Sequence, residues 1–294
     1  MRTFFCIYSY LICSLFAYGQ STLVTHIYLF TLDHQDTKWQ VHSPRFLTKF
    51  NDKGYNNQPS FINIDELVLS VKMPENDQND IYLLNLRTNT KRQITKTAAS
   101  EYSPSVSTDM KYLSCVRVDD PASGVQRLYN YEFKQNGAIE SPLADIKNVG
   151  YYSWLDQKNV ALFLVHKPNQ IALVNTDTKD PLIFSSEIGR CLQKNTKGNL
   201  IYVHKINDEY WYIKEYDHIN QRANIIVETV PGSEDFAMTE NGSFIMGKDS
   251  KLYSITPGVQ KSWVEIADLS FFGIKNIKRL AIQGNRIAIV DQLK

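Results

Sequence analysis

Apolar and polar positions follow a repeating order along most of the chain, in which a short polar turn leads directly into an apolar strand. Six copies of this turn-and-strand unit occur at intervals of 40 to 48 residues, at positions 64–69, 108–113, 156–161, 196–201, 240–245 and 283–288. A period of that length, built from strands and hairpin turns, is typical of β-propellers. It predicts where a site can lie, in a central channel or on the loop-covered faces, but leaves the function open.

The stretch from 55 to 95 displays one complete unit. A short strand at 58–61 precedes the turn, an apolar strand at 67–71 follows it, and further strands are expected at 81–86 and 92–94. Four strands joined by hairpins make one blade of a propeller. The same order recurs in the next four units, so the sequence predicts five complete blades.

The sixth unit is divided between the two ends of the chain. Residues 279–282 and 287–290 supply only two strands, while residues 27–32 resemble the third strand at 81–86 and residues 39–41 follow as a fourth. We therefore expect an all-β fold, a six-bladed β-propeller with four-stranded antiparallel blades, whose last blade is closed by strands from both termini. A solenoid is the alternative, but it would not explain why the two ends complement each other.

The first 19 residues predict a secretory signal peptide. Arg2 is followed by an apolar stretch at 4–16 and then by Ala17 and Gly19 at the positions that a signal peptidase reads. The stretch is too short to cross a bilayer. Cleavage after Gly19 would leave one propeller domain at 20–294 without a transmembrane segment, which we expect to be periplasmic or secreted and monomeric.

Charge and cysteine content narrow the classes of partner. The chain has 32 basic and 31 acidic residues, and removal of residues 1–19 would take away one basic residue and leave no net charge. Nucleic-acid binding rewards a strongly basic surface, so nucleic acid is not an expected partner. Cys115 and Cys191 would be the remaining cysteines, and we interpret both as buried apolar residues rather than as a disulfide framework.

The blade motifs also carry a resemblance to a known family. Residues 58–61 and 102–106 precede the repeated turn, and residues 81–86 and 92–95 follow it, in a pattern that resembles the repeats of TolB-type six-bladed propellers of the bacterial envelope. Strand patterning begins within ten residues of the predicted cleavage site, so the resemblance is to the propeller module. It implies a non-enzymatic scaffold that binds a protein or peptide of the cell envelope, although related propellers also accompany peptidase domains and form lyases.

The residues just before the innermost strand of each blade should converge at one mouth of the channel. They are polar, aromatic and of both charge signs, as a binding mouth requires. We expect binding at a channel mouth built from Asn57, Glu101, Tyr151, Arg190, Asp235 and Arg279. On this interpretation, Arg190→Ala or Glu101→Ala should weaken binding with little loss of stability, and neither a cofactor nor a catalytic residue is expected.

A second interpretation of the same mouth is a metal-dependent hydrolase or lyase. Asn57, Glu101 and Asp235 offer the amide and carboxylate oxygens that Ca²⁺ prefers, with open positions for a substrate. The competing explanation is that arginines such as Arg190 and Arg279 neutralise these carboxylates across the mouth. A carboxylate paired directly with Arg190 would favour neutralisation.

Overall fold

The computed structural model describes residues 23–35, 38–107, 110–133 and 139–293, and within them the chain forms six sheets of four antiparallel strands. The predicted signal peptide lies outside the described residues. Two short 3-10 helices, Lys49–Asn51 and Ser270–Phe272, are the only helical segments among the described residues. The six sheets are the blades of a propeller, which confirms the predicted all-β class and the predicted number of blades.

The strands follow the blades in chain order. Blade 1 contains β3 (Tyr55–Asn63), β4 (Glu66–Lys72), β5 (Asp80–Asn85) and β6 (Thr90–Gln93), and blade 2 contains β7 (Ser100–Val106), β8 (Tyr112–Val118), β9 (Gln126–Glu132) and β10 (Ile139–Glu140). Blade 3 contains β11 (Val149–Trp154), β12 (Asn159–Leu164), β13 (Gln170–Asn175) and β14 (Pro181–Ser186), and blade 4 contains β15 (Ile188–Lys194), β16 (Leu200–Lys205), β17 (Trp211–Asp217) and β18 (Arg222–Glu228). Blade 5 contains β19 (Phe236–Met238), β20 (Phe244–Lys248), β21 (Lys251–Ile255) and β22 (Val264–Asp268).

The sixth, closing blade is shared between the two ends of the described chain. Its strands are β1 (Thr25–Gln35), β2 (Lys38–Phe46), β23 (Ile277–Gln283) and β24 (Arg286–Gln292), in the spatial order β2-β1-β24-β23. β1 therefore occupies the third position of the blade and β2 the fourth, as the sequence predicted. Closure in this way completes the sixth blade with two strands from each end of the described chain.

The core of the molecule lies between blades rather than within one central cluster. Each of six apolar clusters joins a pair of neighbouring blades. Between blades 1 and 2, for example, Val68 and Ile81 pack with Leu113 and Cys115. Strand alternation explains this arrangement, because successive side chains of one strand point to the two neighbouring blades.

The innermost strands carry the irregularities that matter for the channel. The pairing register shifts between Asn57 and Ser60 in β3 and between Tyr102 and Ser105 in β7, and β11, β15 and β23 have shifts at the equivalent places. Gln58 and Ser103, inside the first two bulges, adopt left-handed backbone angles, with φ of 56° and 52°. Bulges of this kind re-aim side chains, here at corresponding positions around the axis.

Candidate functional site

Each blade contributes one residue to the channel lining, at or beside the bulge or the start of its innermost strand. We call these six residues the channel ring, and they are Gln58, Ser103, Tyr151, Arg190, Asp235 and Arg279. All six line a cavity of about 290 Å³. The six-fold repeat thus brings together side chains that lie about 45 residues apart in sequence.

Arg190 is the most heavily bonded member of the channel ring. Its Nε lies 3.2 Å from Oδ2 of Asp235, and its Nη1 lies 3.4 Å from Oε1 of Glu234. Its Nη2 also donates a 2.9 Å hydrogen bond to the backbone oxygen of Lys278. Arg190 therefore joins blades 4, 5 and 6, and its guanidinium has a fixed position before any ligand arrives.

Glu234 extends this ionic cluster towards blade 4. Its Oε2 lies 2.6 Å from Nζ of Lys205, and Gly189 allows the approach because a Cβ there would lie 3.3 Å from the Glu234 side chain. Burial opposes ionisation of Glu234, but the hydrogen bond from Lys205 and the charge of Arg190 outweigh it and lower the pKa of this carboxyl. Glu234 is therefore an anion at neutral pH.

Arg279 crosses the channel. Its Nη2 donates a 2.7 Å hydrogen bond to the hydroxyl of Tyr151, and the guanidinium carbon lies 4.9 Å from the centre of that ring. Arg279 belongs to the closing blade and Tyr151 to blade 3, which stand opposite each other in a six-bladed ring. Burial by itself would lower the pKa of Arg279, but the charge of Asp235 more than offsets it and the pKa is raised. The side chain is a permanent cation held across the axis.

The ion pair between Arg190 and Asp235 lies where two cavities meet. Arg190 and Asp235 line both the 290 Å³ cavity and a second one of about 410 Å³, whose other lining residues include Glu234, Lys248 and Lys278. The first cavity runs along the later parts of the innermost strands, and the second lies at their beginnings. A ligand that entered from either side would reach the same ionic cluster.

Positive charge exceeds negative charge in the cluster. Lys205, Arg190 and Arg279 face only two carboxylates, those of Glu234 and Asp235. Because the channel walls exclude much of the solvent, such an imbalance is less screened there than on the surface. The arrangement can therefore attract and orient an anionic group.

Comparison with known proteins rests on structure, since no family model and no curated sequence matches the chain. TolB from Acinetobacter baumannii superimposes with a TM-score of 0.59 at 13% identity, over 90% of this chain and 63% of that one. A protein provisionally assigned as TolB from Agrobacterium tumefaciens gives a TM-score of 0.67 at 12% identity, over 93% of this chain and 99% of that one. The fold is that of the TolB-type propellers. Oligogalacturonate lyase from Vibrio parahaemolyticus also matches, with a TM-score of 0.51 at 11% identity over 92% of this chain and 97% of that one.

The chain spans less than two thirds of the Acinetobacter TolB but nearly all of the Agrobacterium protein. At these identities the likeness concerns the fold alone. Among the residues that the structure describes, no helix has the length and apolar character needed to span a membrane. Cys115 and Cys191 are buried and unbridged, in agreement with their interpretation as apolar core residues.

Four of the six predicted site residues meet in the channel of this TolB-type propeller: Tyr151, Arg190, Asp235 and Arg279. The other two, Asn57 and Glu101, line neither cavity. Asn57 is 7% exposed, and its Oδ1 accepts the backbone N–H of Gln58 at 2.7 Å. The geometry thus brings together the residues from blades 3 to 6 and leaves out those from blades 1 and 2.

Glu101 lies between blades 1 and 2 instead of at the mouth, and this placement differs from the expectation. The side chain is completely buried, and its carboxylate accepts hydrogen bonds from Thr95 at 3.2 Å, Thr97 at 2.6 Å and Tyr131 at 2.9 Å. β7 already begins at Ser100, so Glu101 is a strand residue whose direction follows strand alternation. Burial raises its pKa.

The calcium interpretation loses its geometric basis with this placement. Glu101 is sealed between two blades, whereas Asp235 pairs directly with Arg190 in the channel. Within the described residues, no three His, Cys, Asp or Glu side chains come together in a group that could hold a metal ion. Asn57, Glu101 and Asp235 thus do not form one ligand set, and the pairing of Asp235 favours charge neutralisation.

The six binding residues chosen from the sequence do not include Gln58 and Ser103, which take the places of Asn57 and Glu101 in the channel ring. Each is followed by a proline and then by a serine, as Gln58-Pro59-Ser60 and Ser103-Pro104-Ser105. A proline cannot donate a ladder hydrogen bond and is found at bulges and edges of sheets. The shared Pro-Ser pair was therefore the signal for the bulge, and the residue before it is the one that reaches the channel.

Proposed function

We propose that this TolB-like β-propeller is a non-enzymatic scaffold that binds a protein or peptide of the cell envelope through its channel ring. The observation that supports the proposal is the ionic cluster around Arg190, which is assembled by contacts between three blades before any ligand is present. A preformed polar site beside aromatic side chains binds without losing much conformational entropy. Tyr151 supplies the aromatic surface on the opposite side of the channel.

The location follows from the sequence of residues 1–19, whose pattern is that of a secretory signal. We infer that the mature chain is exported to the periplasm or beyond the cell and acts there as a monomer. An envelope partner is consistent with this compartment. The six four-stranded blades offer the rigid frame that such a scaffold needs.

A synthetic pool of random decapeptides tests the binding role. Purified mature protein would be immobilised and the retained peptides identified by mass spectrometry, with Arg190→Ala as the site variant and Lys158→Ala as the control, since Lys158 belongs to an exposed surface pair with Asp177. We expect retention by the wild type and by the control, and at least tenfold less retention by Arg190→Ala. That loss corresponds to about 1.4 kcal/mol of binding free energy, which one charge-assisted hydrogen bond can supply.

Circular dichroism would show that both variants are folded at the temperature of the assay. Equal retention by Arg190→Ala and wild type would contradict a site at the channel ring. A complete absence of retained peptides would contradict the peptide-binding role itself. Retention lost equally in the Lys158→Ala control would point to non-specific charge attraction.

The alternative class, a metal-dependent hydrolase or lyase in the same channel, has weaker support from the contacts. The oligogalacturonate lyase from Vibrio parahaemolyticus shares the propeller architecture, and fold alone does not carry a reaction to a new chain. A rise in melting temperature on addition of Ca²⁺ that a chelator reverses would favour this alternative. No response is expected if Asp235 serves as the counter-ion of Arg190.

A further inference from the structure

Arg279 uses only part of its hydrogen-bonding capacity. A guanidinium has five N–H donors, and the described residues provide one hydrogen bond, to Tyr151 at 2.7 Å, and one ion pair, to Asp235 at 3.8 Å. The second distance is too long for a hydrogen bond. The side chain nevertheless is only 13% exposed and lines the 290 Å³ cavity.

The nearest carboxylate, that of Asp235, lies closer to Arg190 than to Arg279. Oδ2 of Asp235 lies 3.2 Å from Nε of Arg190 but 3.8 Å from Nη1 of Arg279. Arg190 also has Glu234 and a backbone oxygen as partners. Of the two arginines in the channel ring, Arg279 is therefore the one whose charge is incompletely matched.

Two further donors stand on the wall of the same cavity. The hydroxyl of Ser103 is buried and has no hydrogen-bond partner among the described residues. Oε1 of Gln58 accepts the backbone N–H of Ser103 at 2.9 Å, which leaves the amide nitrogen of Gln58 as a donor. An unsatisfied buried hydroxyl is costly, and rotation of the Ser103 side chain towards a ligand oxygen in the cavity would remove that cost.

The size of the cavity limits what can enter. A volume of 290 Å³ corresponds to about ten water molecules at roughly 30 Å³ each. One side chain or one chain end has the size to fill this space. The donors described above are those that a planar carboxylate uses best, because guanidinium and carboxylate can form two parallel hydrogen bonds.

We propose that Arg279, with Ser103 and Gln58, forms a carboxylate subsite inside the channel, into which one acidic group of the ligand inserts from the side of the 290 Å³ cavity. The inference rests on the proposed peptide-binding function and adds the chemistry of the group that is recognised. The carboxylate can come from a chain terminus, from an Asp or Glu side chain, or from a small free acid.

Isothermal titration with four probes separates these sources: N-acetyl-trialanine with a free C-terminal carboxylate, the same peptide as its C-terminal amide, the amidated peptide N-acetyl-Ala-Glu-Ala, and sodium acetate. The variants are Arg279→Met and Ser103→Ala, with Lys158→Ala as the control. We expect one or both acidic peptides to bind the wild type at least tenfold more tightly than the neutral amide. Arg279→Met should reduce that preference to less than twofold, and the control should preserve it.

Ser103→Ala is the second variant in case Arg279→Met does not fold, since it removes one hydroxyl and leaves the ion pairs in place. We expect it to weaken the affinity for the acidic probes at least threefold. Equal affinity for acid and amide would overturn the inference while leaving peptide binding intact. Binding of acetate but of no peptide, lost in the Arg279 variant, would support the subsite and contradict the peptide-binding function. Failure of all three acidic probes to bind would overturn the subsite.

Discussion

Glu101 and Asp235 begin from similar positions, near the start of the innermost strands of blades 2 and 5, and end in different environments. Glu101 is sealed between two blades and accepts hydrogen bonds from the hydroxyls of Thr95, Thr97 and Tyr131. Asp235 faces the channel and pairs with Arg190 and Arg279. The first carboxylate holds two blades together, whereas the second balances charge in a cavity that a ligand can reach.

The difference comes from the side of the strand that each residue occupies. Tyr102 packs into the cluster between blades 2 and 3, so alternation turns its neighbour Glu101 towards blade 1. Asp235 immediately precedes β19, and the next residue, Phe236, takes the buried position between blades 4 and 5. Repeat units of the same design can therefore place a carboxylate at neighbouring positions of the innermost strand and use it for stability in one blade and for binding in another.

The largest effect should follow from removing the sealed carboxylate. Glu101→Ala leaves the buried hydroxyls of Thr95 and Tyr131 without this acceptor and leaves the half-buried Thr97 with only the backbone oxygen of Ala99. We expect a loss of about 4 kcal/mol in the free energy of unfolding, because each unmet buried group costs about 1–3 kcal/mol. Urea denaturation monitored by tryptophan fluorescence measures it. This expectation replaces the one drawn from the sequence alone, in which Glu101→Ala would cost little stability.

Glu101→Gln is the matched control, since it preserves shape and one acceptor oxygen and should lose less than half as much. If Glu101→Ala unfolds at the same urea concentration as the wild type, the carboxylate does not hold the two blades together. If either folded variant loses the carboxylate preference in the titration, Glu101 has a role in binding that its position does not suggest.

A second buried carboxylate, that of Asp80, should make the stability of the fold depend on pH. Asp80 is 1% exposed, one of its oxygens lacks a hydrogen-bond partner among the described residues, and burial together with the nearby charge of Glu101 raises its pKa to about 6. The folded state thus binds the proton more tightly than the unfolded state. The stabilisation is complete below about pH 4 and is lost as the pH rises through 6.

Asp80→Asn should therefore be more stable than the wild type at pH 7.5, by at most about 3 kcal/mol. The difference should shrink to near zero at pH 4, and unfolding free energies measured across that range will show it. Asp177→Asn, at an exposed position, should follow the wild-type profile. Parallel curves for Asp80→Asn and wild type would mean that Asp80 ionises normally in the folded protein.

Most of the fold could be predicted from the sequence, because each turn and each hairpin of the repeated blade is specified within a few residues. The divided sixth blade could be predicted because the two ends of the chain each supply an incomplete unit. The residues of the site were harder to predict from the sequence. Four residues could be assigned to the channel: Tyr151, Arg190, Asp235 and Arg279. The other two predicted residues lie close to the observed ones, since Asn57 precedes Gln58 by one position and Glu101 precedes Ser103 by two. A bulge shifts the side-chain alternation by one position, and its place depends on pairing with the next strand.

The smallest effect on stability should come from the channel carboxylate. Asp235→Asn removes a charge that is 12% exposed and shared between two arginines, and we expect a loss of about 2 kcal/mol, between the values for exposed and for fully buried ion pairs, because the amide oxygen of Asn can still accept from Arg190. Its effect on binding should be opposite in sign. With Asp235 neutral, Arg279 loses its nearest competing anion, so the acidic peptide probes should bind about fivefold more tightly, as isothermal titration would show. Unchanged or weaker binding would mean that Asp235 orients Arg279 for the ligand rather than competing with it.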